Sequence, residues 1–126
     1  MMLVLTILGV ALVLAANLAL GQVAGDFLAQ GKEIYENNCA DCHRSNGEGL
    51  SVKFPALNKN PYVLGDPSLV IQTVLNGRKG KLGLMPSWKN DLDDQKIAAV
   101  LTYVRQAWGN QSPAVSPEAV AAIRGK

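Results

Sequence analysis

The sequence predicts an all-α protein, a small domain of three to four short helices preceded by one N-terminal apolar helix. Apolar residues recur at helical spacing in three places, each opened by a residue able to cap a helix. No run alternates apolar and polar residues over a useful strand length. The apolar content is also uneven: Met1–Leu20 is broken only by Thr6, Gly9 and Asn17, whereas every charged residue lies at Asp26 or later. At 126 residues the chain is too short for a multidomain enzyme, a solenoid or a large barrel, since one compact unit takes about 100–150 residues. Twelve basic residues against ten acidic ones leave a formal charge of +2, which argues against a phosphate-driven binder, so no nucleic-acid partner is expected.

The leader comes first. About 20 apolar residues rising about 1.5 Å each can cross a bilayer core. No Lys or Arg precedes Lys32, so the basic start of a secretory signal is missing, and residues 1–25 read as a retained transmembrane anchor. The alternative is a cleaved signal, with Ala19-Leu20-Gly21 or Val23-Ala24-Gly25 as the small-residue site. A buried core helix fits poorly because the run is apolar on all faces. No cysteine near its end is available for lipidation.

Residues 26–110 form the expected domain. Asp26 can cap a helix running to about Asn38, with Phe27, Gly31, Ile34 and Tyr35 on one face. Residues 44–62 carry Gly47, Gly49, Pro55 and Pro61 and read as an irregular loop. Asp66 followed by Pro67 opens a second helix that continues through Leu69–Leu75 and stops near Gly77. A second loop runs from Gly77 to Leu92. Asp93 caps the last helix, whose stripe of Ile97, Val100, Leu101, Val104 and Trp108 ends at Gly109. Residues 111–126, with Pro113 and Pro117, form a tail expected to lie on the domain.

Three short helices and two long loops normally need something to wrap around. Cys39-Ala40-Asp41-Cys42-His43 supplies a candidate, the attachment pattern for haem c. Two thiols one helical turn apart add to the two vinyl groups, and the adjacent imidazole reaches the iron from one side. These are the only cysteines and the only histidine in the chain. Structural zinc commonly needs four such ligands, a thioredoxin-like dithiol needs a βαβ setting, and a disulfide between the two cysteines leaves His43 unexplained. One covalent haem c, with iron, is therefore the expected cofactor.

A haem iron with one histidine needs a sixth ligand, and Met85 is the only methionine beyond Met1 and Met2. It lies in Gly83-Leu84-Met85-Pro86-Ser87-Trp88, where glycine and proline constrain the backbone. Its bland reading is a core gap-filler. Trp88, three residues on, either packs on the haem or donates its N–H to a propionate, or simply fills the loop's core. Arg78, Lys79 and Lys81 flank this loop; they are either solvated or a docking patch for an acidic partner.

Over about residues 26–110 the chain resembles a class I, monohaem cytochrome c of a membrane-anchored or secreted bacterial type. The likeness rests on Gly31 and Tyr35, the attachment motif, Pro55 twelve residues after His43, the Met85-Pro86 loop and the final helix with Tyr103 and Trp108. It implies a cytochrome c fold wrapped around one haem, with Gly31 and Tyr103 at a close crossing of the first and last helices. It also implies that the Pro55 carbonyl meets the other ring nitrogen of His43; an ordinary loop kink is the alternative at Pro55.

Iron held on both sides by His43 and Met85 has no open position for substrate, so the expected function is electron transfer rather than catalysis, at a relatively high reduction potential. The chain reads as a one-electron carrier between respiratory or photosynthetic membrane partners, with redox proteins rather than a small-molecule substrate as partners. The alternative is a fixed haem subunit of a larger membrane oxidoreductase, and the tail has a weak likeness to such subunits. Since haem c is attached outside the cytoplasm in this family, the domain is expected in the periplasm or lumen, anchored by the leader, or soluble there if the leader is removed.

Overall fold

The computed structural model describes residues 2–126, with side chains from Thr6 onward, so Met1 of the leader lies outside the described residues. A single helix, α1 (Met2–Asn38), takes in both the apolar segment and the first helix of the domain. The expected start at Asp26 is therefore corrected: Asp26 sits in the interior of α1. A side chain caps a helix only where its own backbone leaves the helical region. Leu28, Ala29 and Gln30 after it are good helix formers, and Gly21 and Gly25 before it are tolerated, so nothing forces that departure. The N-terminal part of α1 is long and apolar enough to cross a membrane, and none of that window is buried.

The attachment motif forms a short turn, α2 (Ala40–His43). Three further helices each follow a polar cap and a proline at the first turn, where its missing N–H costs nothing. These are α3 (Pro61–Leu64) after Asn60, α4 (Pro67–Asn76) after Asp66, and α6 (Pro117–Arg124) after Ser116. Asp93 caps α5 (Asp94–Gln106), accepting from the Lys96 N–H at 2.8 Å. The second loop holds a minimal antiparallel hairpin of β1 (Arg78–Lys79) and β2 (Leu84–Met85), pairing Arg78 with Met85 and Lys79 with Leu84. The α-helices α3 and α6 were not separately expected; they lie at the end of the predicted loop and within the predicted tail.

The core lies where the C-terminal part of α1 crosses α5, with α4 and α6 closing it. Ile34, Tyr35, Ile71, Leu75, Ile97, Leu101, Val104 and Val120 are buried there. At the crossing, a Cβ on Gly31 would stand 2.1 Å from the Ala99 carbonyl oxygen and 2.9 Å from the Tyr103 Cβ, so only glycine lets the backbones meet. The tail runs back along α5 and is stapled to it. The Thr102 hydroxyl donates to the Val115 carbonyl at 3.2 Å and accepts from the Val115 N–H at 2.9 Å. The buried Arg105 guanidinium donates to the carbonyls of Val63 at 2.6 Å, Gly65 at 3.0 Å and Pro113 at 3.1 Å. Those three acceptors offset the cost of taking the charge out of water.

Candidate functional site

Cys39 is half-buried and Cys42 exposed, both as free thiols, and the α2 turn carries them to His43, which is 9% exposed. Burial, followed by the neighbouring Cys42, pushes the Cys39 thiol up to about 11, which keeps it protonated at neutral pH. The His43 Nδ1 lies 2.9 Å from the Pro55 carbonyl oxygen. A carbonyl only accepts, so the proton is on Nδ1 and the Nε2 lone pair is left free. Gly49 makes this contact feasible: it has φ +66°, and a Cβ there would lie 2.2 Å from the Phe54 carbonyl oxygen and 2.7 Å from the Pro55 carbonyl. The Gly49 N–H also bonds the His43 carbonyl at 2.9 Å, folding residues 49–55 back over the motif.

Behind the motif stands an aromatic triad of Tyr35, Tyr103 and Trp108, with ring centroids 5.1–5.7 Å apart. Two of its members reach the backbone that leaves His43. The Tyr35 hydroxyl donates to the Arg44 carbonyl at 2.6 Å, and the Trp108 indole N–H donates to the Ser45 carbonyl at 2.9 Å. Sequence reasoning placed these aromatics in the helix-packing core; their polar ends also hold the exit of the attachment turn.

Met85 is half-buried on β2, in a loop fastened to the end of α4. Helix ends leave carbonyls without partners. Here the Ser87 hydroxyl donates to the Leu75 carbonyl at 2.5 Å and the Trp88 N–H to the Val74 carbonyl at 2.9 Å. Gly77, with φ +72°, lets the chain pass close by, since a Cβ there would lie 2.5 Å from the Met85 carbonyl oxygen. Trp88 itself packs against the core, half-buried. Arg78, Lys79 and Lys81 are exposed on the hairpin, and the Arg78 guanidinium lies 5.1 Å from the centre of the Tyr62 ring.

Residues 26–104 match the model of a family described as cytochrome c oxidase, cbb3-type, subunit III. The chain belongs to this family. It is 37% identical over 91 residues to the cytochrome c subunit of alcohol dehydrogenase (quinone) from Gluconobacter oxydans, covering 66% of this chain and 19% of that protein. It is 35% identical over 88 residues to the cbb3-type cytochrome c oxidase subunit CcoP of Azospirillum brasilense, covering 65% and 29%. The gluconate 2-dehydrogenase cytochrome c subunit of Pantoea cypripedii is 34% identical over 110 residues, covering 79% and 25%. The matched stretch thus spans under a third of the length of each of these relatives.

Membership of a cytochrome c family implies covalently bound haem c, and the side chains present fit that group. Two thiols at the required spacing are free to form thioethers, and an imidazole with one nitrogen already satisfied leaves the other for iron. The mostly helical fold with its apolar N-terminal helix agrees with the same family, and that helix fits a membrane anchor.

Proposed function

We propose that this chain is an electron-transfer protein that carries one electron on a single haem c, held covalently by Cys39 and Cys42 and ligated by His43 and Met85. The observation that carries the reading is the His43 Nδ1 contact to the Pro55 carbonyl, which orients the ring and leaves Nε2 as the donor. When bound, the haem supplies one-electron chemistry. The chain's own residues would hold that chemistry in place: His43 and Met85 would supply the two protein ligands to the iron, and the Pro55 carbonyl sets the imidazole tautomer. Trp88, three residues after Met85, packs against the core and anchors that side of the loop. With a thioether and an imidazole as its two protein ligands, the group would favour reduced iron, which supports a relatively high reduction potential.

The test is Met85→Ala in the haem-loaded protein. Covalent haem should be retained, because Cys39, Cys42 and His43 are untouched. The oxidised protein should lose the weak absorption that marks iron–thioether bonding, bind cyanide readily, and show a lower potential. Wild-type reduced protein that binds carbon monoxide freely would overturn the Met85 assignment.

A second reading, a fixed haem subunit of a larger membrane oxidoreductase, draws support from a specific observation: α1 runs without a break from the apolar segment to the attachment motif. The relatives named above as subunits of dehydrogenases and oxidases favour it too. The partners are redox proteins in either case, and the domain sits on the periplasmic or lumenal side with the helix in the membrane. The exposed Lys79 and Lys81, beside Arg78, suit an acidic docking face on the partner. Extraction in mild detergent separates the two readings, since a carrier elutes alone and a subunit brings its partners.

A further inference from the structure

The loop that carries Met85 is fastened just beyond the methionine, where the Ser87 hydroxyl and the Trp88 N–H bond the Leu75 and Val74 carbonyls at the end of α4. Its far end, the turn Trp88–Leu92, is closed by the Leu92 N–H on the Trp88 carbonyl at 3.0 Å. That turn has a second fastening from outside the loop. The Arg124 guanidinium, at the end of α6, donates from Nη1 to the Lys89 carbonyl, from Nη2 to the Leu92 carbonyl at 2.7 Å, and from Nε to the Asp94 carboxylate at 2.6 Å. The Lys89 ammonium returns a longer contact of 3.4 Å to the Arg124 carbonyl. The planar fork is thereby committed to three acceptors that span the turn and the start of α5.

The route to this fork is rigid. From Arg105 on the Pro113 carbonyl, through Thr102 on Val115, to the fully buried Val120, the tail is held along α5 from its C-terminal end to its N-terminal end. Arg124 therefore arrives at the methionine loop on a fixed track, and its partners are main-chain carbonyls whose positions define the turn.

We infer that Arg124 is a positioning residue for the sixth iron ligand: the C-terminal helix acts as a strap that keeps the Trp88–Leu92 turn closed and, through it, holds Met85 at the iron. The inference rests on the assignment of Met85 as that ligand. A local opening of the loop would release the sulfur and expose the iron without unfolding the domain, and Arg124 raises the cost of that opening.

The experiment uses the full-length, haem-loaded, oxidised protein in detergent and measures the rate of cyanide binding, which requires Met85 to leave. Melting temperature is measured alongside. Arg124→Ala should raise the cyanide rate about tenfold or more, the weight of one charge-assisted hydrogen bond, while the iron–thioether absorption of the resting protein persists. Arg124→Lys keeps the charge without the fork, should fall between the two, and carries the test if Arg124→Ala does not accumulate. Ile34→Ala, a core truncation on α1 away from the loop, should lower the melting temperature at least as far and leave the cyanide rate unchanged. A wild-type cyanide rate in both Arg124 variants, or an equal rise in Ile34→Ala, would overturn the strap. Wild-type protein that lacks the iron–thioether absorption would remove the Met85 assignment and the strap together, whereas an unmoved rate in a protein that has the absorption removes the strap alone.

Discussion

Gly31 decides how closely the first and last helices of the domain can approach. Replacing it by alanine improves helix propensity by about 1 kcal/mol. Against this, the new methyl would lie 2.1 Å from the Ala99 carbonyl oxygen, a backbone atom that cannot swing aside. Overpacking of that kind costs about 1–3 kcal/mol, so the clash wins, and Gly31→Ala should melt several degrees lower, Gly31→Leu lower still. An unchanged melting temperature for both variants would show that the helices are not in contact there. The residues proposed to hold the haem could be picked out in the sequence because they cluster there: five consecutive positions hold both thiols and the imidazole, and Pro55, whose carbonyl meets His43, is only twelve residues on. Ser87 and Arg124 were not legible. Each acts on main-chain carbonyls, which every residue type presents alike, and Arg124 does so from more than thirty residues away, so no pairing of residue types marks it.

Three helices of the domain, α3, α4 and α6, depend on the same device, a polar cap followed by proline, and it was only partly legible. Asp66-Pro67 stands before a long apolar periodicity and is read at once; Asn60-Pro61 and Ser116-Pro117 precede helices too short to show one. The Asp66 carboxylate accepts the Ser68 N–H at 2.9 Å, and that bond holds its pKa below the ordinary value of 3.8. A lowered folded-state pKa stabilises above the ordinary value and is lost as pH falls below it. Asp66→Asn keeps an acceptor but cannot titrate, so its melting temperature should fall less steeply than that of wild type as pH drops below about 4. Parallel acid profiles for the two proteins would remove Asp66 from the acid sensitivity of α4. The hairpin after α4 makes a different prediction. Arg78 is occupied by the Tyr62 ring, while Lys79 and Lys81 are solvent-exposed. Exposed charges act on encounter rate and are screened over about 8–10 Å at ordinary salt. Reversal of Lys79 and Lys81 to glutamate should therefore slow electron transfer to an acidic partner several-fold at low salt and little at high salt; equal rates at low salt would leave the pair as solvation only.

The molecule as a whole is set apart by what joins its two parts. The sequence shows an apolar segment and a polar domain and invites a boundary at Asp26, because composition changes there; backbone continuity is not a compositional property, and α1 crosses the boundary intact. From Leu20 to Cys39 the helix rises about 28 Å at about 1.5 Å per residue, so a membrane-seated leader would hold the haem-binding turn at a set height. A freely diffusing or swinging carrier gains from a flexible connection, since a long soft linker lets the domain sample its partners. A stiff helical mount forgoes that sampling and suits a donor and acceptor already at fixed positions in the same assembly. Two changes test this together. Replacing residues 1–25 with a cleavable secretory signal should yield a soluble, red protein, because every residue assigned to the haem lies at Cys39 or beyond. Inserting a Gly-Ser segment of about ten residues between Gly25 and Asp26, with the leader kept, should preserve haem content and spectrum. It should nevertheless lower the rate of electron flow through the chain in native membranes several-fold, since the haem loses its fixed height. If the insertion leaves that rate unchanged or raises it, the helix is only a tether, and the carrier reading stands over the fixed subunit.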